Sequence, residues 1–116
     1  MPGGSDYQGP IEALDRYRQI IEGSSSDAVV KGAKNPYTSR NGHMFSFLDR
    51  DGTMALRLSE ELREAYGAEY STDPVIQYGS VMRGYVAIPD ELFEDLEALA
   101  EWFDRSYDWI GTLDSK

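Results

Sequence analysis

The sequence has no cysteine and only one histidine among its 116 residues. Without cysteine there are no disulfides, thiolate nucleophiles, or cysteine-ligated zinc or iron–sulfur centres. A single histidine, His43, is too few for a typical zinc or non-haem iron site. We therefore expect no metal and no cofactor, and the lack of cysteine suits the cytoplasm.

Basic residues are scarce. The chain carries 11 basic against 21 acidic residues, for a formal charge of −10, which repels phosphate backbones and anionic membranes. Direct nucleic-acid binding is therefore not expected, and the charge favours solubility, with a basic partner or nucleic-acid mimicry as alternatives. The start of the chain lacks a signal-peptide pattern, and no apolar run approaches the roughly 20 residues that span a bilayer. We expect neither secretion nor membrane insertion.

Hydrophobic residues make up 41% of the chain and are spread along it, which predicts one folded domain. Glycine, proline and serine are frequent in residues 1–9, which we interpret as a flexible lead. The domain is predicted to cover residues 10–113, and residues 114–116 to form a tail.

The stretch from Asn41 to Leu58 predicts a β-hairpin that turns at Asp51-Gly52, because Asp-Gly is a strong hairpin signal. Alternation of side chains predicts two sets with shared faces: Phe45 with Phe47, and Met54 with Leu56 and Leu58.

Apolar spacing predicts three helices, at 10–22, 59–70 and 89–110, the last with a possible break near Asp95. Weaker patterns indicate strands at 28–30, 75–78 and 81–88, a loop at 71–74, and a second hairpin turning at Gly79-Ser80. In the longest of these strands, alternation predicts one face of Met82, Gly84, Val86 and Ile88. The expected fold is α+β, a two-layer antiparallel sheet covered by helices.

No catalytic constellation is evident. As a base, His43 would need a nearby hydroxyl from Thr38, Ser39 or Ser46, and strand neighbours rarely reach one another in that way. The Asp49–Gly52 run resembles part of a calcium loop, but Phe47 and Leu58 would occupy ligand positions. Enzyme activity is therefore not the favoured interpretation, although it stays open.

Two clusters could bind something. The first is polar and could hold a small anion or polar ligand, unless it is a loop stabilised by its own side-chain bonds; its members are Lys34, Tyr37, Thr38, Ser39, Arg40, Asn41 and His43. The second is aromatic. Trp102 and Trp109 fall off the buried stripe of the last helix and could form a patch for a partner or a second subunit, unless they pack against the first helix.

Several runs resemble the TfoX N-terminal domain-like proteins across residues 10–113. They are Lys31-Gly32, Asn35-Pro36-Tyr37-Thr38-Ser39, Asn41 to Leu48, Met54 to Ser59, Gln77-Tyr78-Gly79, Tyr85 to Asp90 and Ser106-Tyr107. The resemblance implies a small, bacterial, cytoplasmic α+β domain of the secretion-chaperone-like type, in a family largely without assigned activity. No catalytic residue can be carried over.

The namesake of that family regulates competence genes and joins this domain to a second, helical one. Here the chain ends at Lys116, and the namesake's Met-Phe-Gly-Gly stretch is replaced by Asn35-Pro36-Tyr37-Thr38. We therefore expect a stand-alone, non-catalytic protein-interaction or regulatory module, acting through its sheet or last helix on a protein partner or as a homodimer. The alternative is a small-ligand-binding domain or minor enzyme, with Arg40 and His43 converging on one pocket.

Overall fold

The computed structural model describes residues 7–70, 75–77 and 79–115. The predicted loop at 71–74, residues 1–6 of the predicted lead, Tyr78 of a predicted strand and Lys116 of the predicted tail lie outside the described residues. The elements are α1 (Ile11–Gly23), β1 (Tyr37–Arg40), β2 (His43–Leu48), β3 (Met54–Arg57), α2 (Glu60–Gly67), β4 (Ile76–Gln77), β5 (Ser80–Val81), β6 (Tyr85–Ala87), α3 (Asp90–Phe93) and α4 (Leu96–Ile110).

The predicted hairpin is confirmed at the centre of a four-stranded antiparallel sheet, ordered β1-β2-β3-β6. Strands β2 and β3 pair in the register Ser46↔Leu56, Phe47↔Ala55 and Leu48↔Met54. Gly52 takes a φ of 85°, which a glycine adopts without strain. The carboxylate of Asp49 accepts hydrogen bonds from two turn amides, so the turn is tied by its own side chain.

The prediction that Phe45 and Phe47 share a face is wrong. The pairing of β1 with β2 shifts between Thr38 and Ser39, and Phe45 has no partner in β1. An extra residue in one strand of a pair disturbs the alternation of its side chains. Phe45 therefore packs in the main core, while Phe47 packs in a second cluster with Ala55.

Residues 37–40 form a strand, not the predicted polar loop, because β2 supplies partners for their backbone groups. The strand predicted at 28–30 does not form. Only an isolated bridge joins Lys31 to Tyr37, and Val29 is 62% exposed. The strand that does form is β1, at the edge of the sheet, and its second residue, Thr38, is fully buried.

The long strand predicted at 81–88 divides at Gly84, which has a φ of 85°. Its first part, β5, pairs with β4 in a separate two-stranded hairpin, which confirms the predicted second hairpin. Its second part, β6, pairs with β3. The predicted single face is therefore wrong, because Val86 and Ile88 lie in the main core whereas Met82 lies in the second cluster.

The break predicted near Asp95 is confirmed. Asp95 lies between α3 and α4, and its carboxylate caps α4 by accepting a hydrogen bond from the amide of Ala98 at 3.1 Å. Ser59 caps α2 as predicted, but that helix ends at Gly67 and not at Tyr70.

Helices α1 and α4 contact the same sheet and each other, and bury large side chains such as Tyr17 and Phe103. Tyr7, within the predicted lead, joins this core at 8% exposure and donates a hydrogen bond to the carbonyl of Asp49. The second cluster lies on the other face of the sheet, and Val75 and Met82, at the ends of the β4–β5 hairpin, pack in it. The predicted α+β architecture is confirmed.

Candidate functional site

The hydroxyl groups considered as nucleophiles form hydrogen bonds with residues other than His43. Ser46 is fully buried and shares hydrogen bonds with Tyr17 at 2.7 Å and Thr38 at 2.5 Å. The imidazole Nε2 of His43 instead lies 2.7 Å from the carbonyl oxygen of Asp114. Among the contacts of the described residues, no hydrogen bond joins His43 to a hydroxyl, so no nucleophile–base pair is assembled.

Arg40 and His43 face each other across the β1–β2 turn. Arg40 binds the last turn of α4, and His43 binds the segment that follows it. Arg40 Nη1 donates to the carbonyl of Tyr107 at 2.8 Å, and the guanidinium carbon lies 4.0 Å from the centroid of the Tyr107 ring. Asn41 forms the turn with a φ of 55°. These contacts attach the β1–β2 turn to the last helix, and neither Arg40 nor His43 lines either cavity described below.

The other polar candidates lie elsewhere. Ser39 Oγ accepts a hydrogen bond from the Lys31 ammonium at 2.9 Å. Lys34 and Tyr37 line a cavity on the second face of the sheet. The structure thus divides the predicted ligand segment between a turn and a cavity.

We call that cavity the outer groove. It has a volume of about 780 Å³ and lies between the central strands, the loop after Gly32 and the β4–β5 hairpin. Its apolar lining includes Tyr37, Met44, Phe47, Ile76 and Met82, and its charged lining is Lys34, Asp49, Arg50 and Asp51. The two basic and two acidic residues sum to no net charge, and most of the remaining lining is apolar.

Two apolar side chains on the β4–β5 hairpin are exposed. Ile76 and Val81 pair directly across the hairpin, and each is 60% exposed. Ile76 also lines the outer groove. The hairpin therefore presents an apolar pair beside an apolar cavity.

A second cavity, which we call the arginine groove, has a volume of about 920 Å³. Its cationic lining comes from three separate elements, as Arg57 ends β3, Arg63 lies in α2 and Arg83 lies in the turn before β6. Two exposed glutamates, Glu60 and Glu64, also line it. The groove thus gathers arginines in a chain whose charge is −10.

The two tryptophans predicted as an interface are separated by the packing. Trp102 is 7% exposed and lies edge-on to Tyr66, with ring centroids 5.4 Å apart, so its ring belongs to the core. Trp109 is half-buried, lines the arginine groove and has the Arg57 guanidinium carbon 5.3 Å from its ring centroid.

Several tyrosines are held neutral. Burial raises the pKa of Tyr85 to about 12, although the charge of Arg57 opposes the rise. The Tyr85 hydroxyl donates to the carbonyl of Met44 at 2.8 Å. Burial also raises the pKa of Tyr17 and Tyr66. These phenols act as hydrogen-bond donors near neutral pH and are poorly suited to serve as bases.

Sequence reasoning missed both grooves because their walls come from distant parts of the chain. The outer groove combines residues from the stretches 32–37 and 44–51 with Ile76, Gln77 and Met82. The available signal was partial. Alternation along the strand puts Arg57 on the face opposite Leu56 and Leu58, but nothing in the sequence placed Arg63 or Arg83 beside it. Within the described ranges, no three His, Asp or Glu side chains are placed to hold a metal ion, and no helix is long and apolar enough to cross a membrane.

An antiparallel sheet with helices on one face and the outer groove on the other defines a small α+β domain. The chain belongs to the TfoX N-terminal domain family, which it matches over residues 38–110. The resemblance identified from sequence motifs is thereby confirmed over β1 to α4, and α1 lies outside the matched range. No curated protein and no solved structure matches the chain.

Proposed function

We propose that this domain is a non-catalytic protein-interaction module that regulates a partner by binding it at the outer groove. The occupant we propose is a partner segment with one or two large apolar side chains flanked by basic residues. The observation that carries the proposal is the exposed Ile76–Val81 pair beside an apolar groove.

The size of the groove supports this occupant. A volume of about 780 Å³ lies within the range of roughly 300–1,000 Å³ typical of ligand pockets. Covering a large aliphatic side chain contributes about 1.5–3 kcal/mol, so shielding Ile76 and Val81 offers a useful part of a binding energy. Surface pairs of this kind, beside an apolar groove, are typical of interaction sites.

The charge selects between kinds of partner. Two copies of a chain with a formal charge of −10 repel each other at long range, whereas a basic partner is attracted. We therefore favour a partner protein over a homodimer. A small polar ligand at residues 37–43 is the less favoured alternative. Arg40 already bonds to the carbonyl of Tyr107 in the last turn of α4, and His43 to the carbonyl of Asp114 beyond it. We extend the proposal to a bacterial cytoplasmic setting, which the cysteine-free composition suits.

The test is selection from a random peptide library on the immobilised domain, followed by fluorescence polarisation with the selected peptides. We expect selected sequences to share a large apolar residue with flanking Lys or Arg. Ile76→Ser and Val81→Ser should each weaken binding at least tenfold. Val29→Ser is the matched control, because Val29 is 62% exposed and lies in neither groove and outside the β4–β5 hairpin.

Three outcomes would count against the proposal. Selection could yield no shared pattern, or Val29→Ser could weaken binding as much as Val81→Ser. Light scattering could instead show a dimer that Val81→Ser dissociates, in which case a second copy is the occupant.

A further inference from the structure

Three arginines line the arginine groove, and none of them forms an ion pair with a carboxylate of the described residues. The ion pair found among those residues joins Arg105 to Glu101 on α4. Glu60 and Glu64 share the lining, so three arginines against two glutamates leave a charge of +1 in a chain whose net charge is −10. A local excess of positive charge raises the affinity for anions.

Arg63 shows the clearest unmet bonding capacity. Its Nε atom is buried and has no hydrogen-bond partner within the described part of the chain. A buried donor without an acceptor is costly, and structures seldom leave one in that state. The Nε atom itself is shielded from the groove, so an oxyanion there would bond to the outer Nη groups of this half-buried side chain.

The other walls shape the site. The Arg57 guanidinium lies over the Trp109 ring, 5.3 Å from the ring centroid, which limits its directions. A Cβ atom built on Gly84 would lie 3.6 Å from Cγ of Arg57, so the side chain runs along the backbone of that turn. Arg57 is thus held between the Trp109 ring and the turn at Gly84. Arg83 directly precedes Gly84 in the same turn.

We propose that the arginine groove binds a small molecule carrying a multiply charged phosphate group. Guanidinium groups present paired N–H donors that match phosphate oxygens. A volume of about 920 Å³ suits a small molecule, and the overall charge of −10 disfavours long polyanions such as nucleic acids. Glu60 and Glu64 line the same groove and repel anions. A ligand would therefore have to place its phosphate close to the arginines.

The probe is inorganic pyrophosphate, titrated at low salt into the full chain and followed by NMR of the two tryptophan indole N–H groups. Trp109 lines the groove, whereas Trp102 lies in the core and serves as the internal reference. Trp109→Phe assigns the two signals. We expect a saturable shift of the Trp109 signal, little change at Trp102, and weaker binding as sodium chloride screens the charges.

Substitutions then test the arginines. Arg63→Gln and Arg83→Gln should each weaken pyrophosphate binding at least tenfold. Arg18→Gln, which changes the net charge equally at an exposed position of α1, should change it less than twofold. Glu64→Gln should strengthen binding severalfold, because it removes a negative charge from the groove. Circular dichroism of each variant checks folding, and exposed Arg83 offers a variant with little structural role.

The proposal is overturned by an absent or non-saturable Trp109 shift, by equal losses in Arg18→Gln and Arg83→Gln, or by weaker binding in Glu64→Gln. Ile76→Ser separates this site from the outer groove, because Ile76 does not line the arginine groove. That variant should keep full pyrophosphate binding, and a loss would also contradict a separate site.

Discussion

Replacing Ser46 by alanine should strongly destabilise the fold, although the change removes a single oxygen atom. Ser46 Oγ lies 2.7 Å from the Tyr17 hydroxyl and 2.5 Å from Thr38 Oγ1. All three residues are 0% exposed. The chain of hydroxyls joins α1 to β1 and β2, and Ser46 is its central member.

The expected magnitude follows from the partners left behind. Ser46→Ala leaves the Tyr17 and Thr38 hydroxyls without this buried partner, and each such group costs about 1–3 kcal/mol. We therefore expect a loss of about 2–6 kcal/mol in the free energy of unfolding, a large share of the roughly 5–15 kcal/mol typical of a domain. Tyr17→Phe removes an end of the chain and leaves Ser46 bonded to Thr38, so it should cost about 1 kcal/mol.

Urea unfolding of the single and double variants, followed by circular dichroism, gives the free energies by linear extrapolation. In the double variant Tyr17→Phe/Ser46→Ala, only Thr38 is left without its partner. Its loss should therefore fall short of the sum of the two single losses by about 0.5–3 kcal/mol. Ser115→Ala, at an exposed position, is the control and should stay within about 0.5 kcal/mol of the wild type. Strict additivity, or a loss below 0.5 kcal/mol for Ser46→Ala, would refute the reasoning.

Two further predictions concern the backbone and pH. Gly52→Ala should destabilise the domain by about 1–2 kcal/mol, because Gly52 has a φ of 85° and an added Cβ would lie 3.1 Å from the Cβ of Ala13. Gly23→Ala should instead stabilise the domain, because nothing lies within 4 Å of the added Cβ. Thermal unfolding compares the two variants. Stability should also fall above about pH 10. A tyrosine whose pKa is raised in the folded state contributes stability that is full below its unfolded pKa of 10.0. That contribution is lost as pH rises through the folded pKa, which is about 12 for Tyr85. Tyr85→Phe should flatten the decline in urea midpoint between about pH 10 and 12, and an unchanged slope would contradict it.

Local patterns were sufficient where one residue type forces a conformation. The Asp51-Gly52 turn predicted the central hairpin, Ser59 the start of a helix, and Asp95 a break in the last helix, because caps and tight turns depend on neighbours within four residues. The strand at 37–40 was missed because its polar side chains gave no apolar alternation. Its partners are the backbone of β2, which becomes visible only in the folded chain.

The candidate site was predictable only in its parts. The polar segment was identified from the sequence. Its hydrogen bonds from Arg40 to Tyr107 on α4 and between His43 and Asp114 beyond that helix could not be, because those partners are distant in sequence. Trp102 and Trp109 looked alike on the helix, and only the position of Tyr66 on α2 separated a core ring from a groove wall.

The sequence alone determined the α+β class, the central hairpin, the helix breaks and the family, since these follow from side-chain periodicity and short-range hydrogen bonding. The tertiary structure decided which face each residue occupies and which residues meet. A one-residue shift between β1 and β2 sends Phe45 and Phe47 to different clusters, and the division at Gly84 brings β6 beside β3. Arg57, Arg63 and Arg83 come together because three elements converge, which no local pattern encodes.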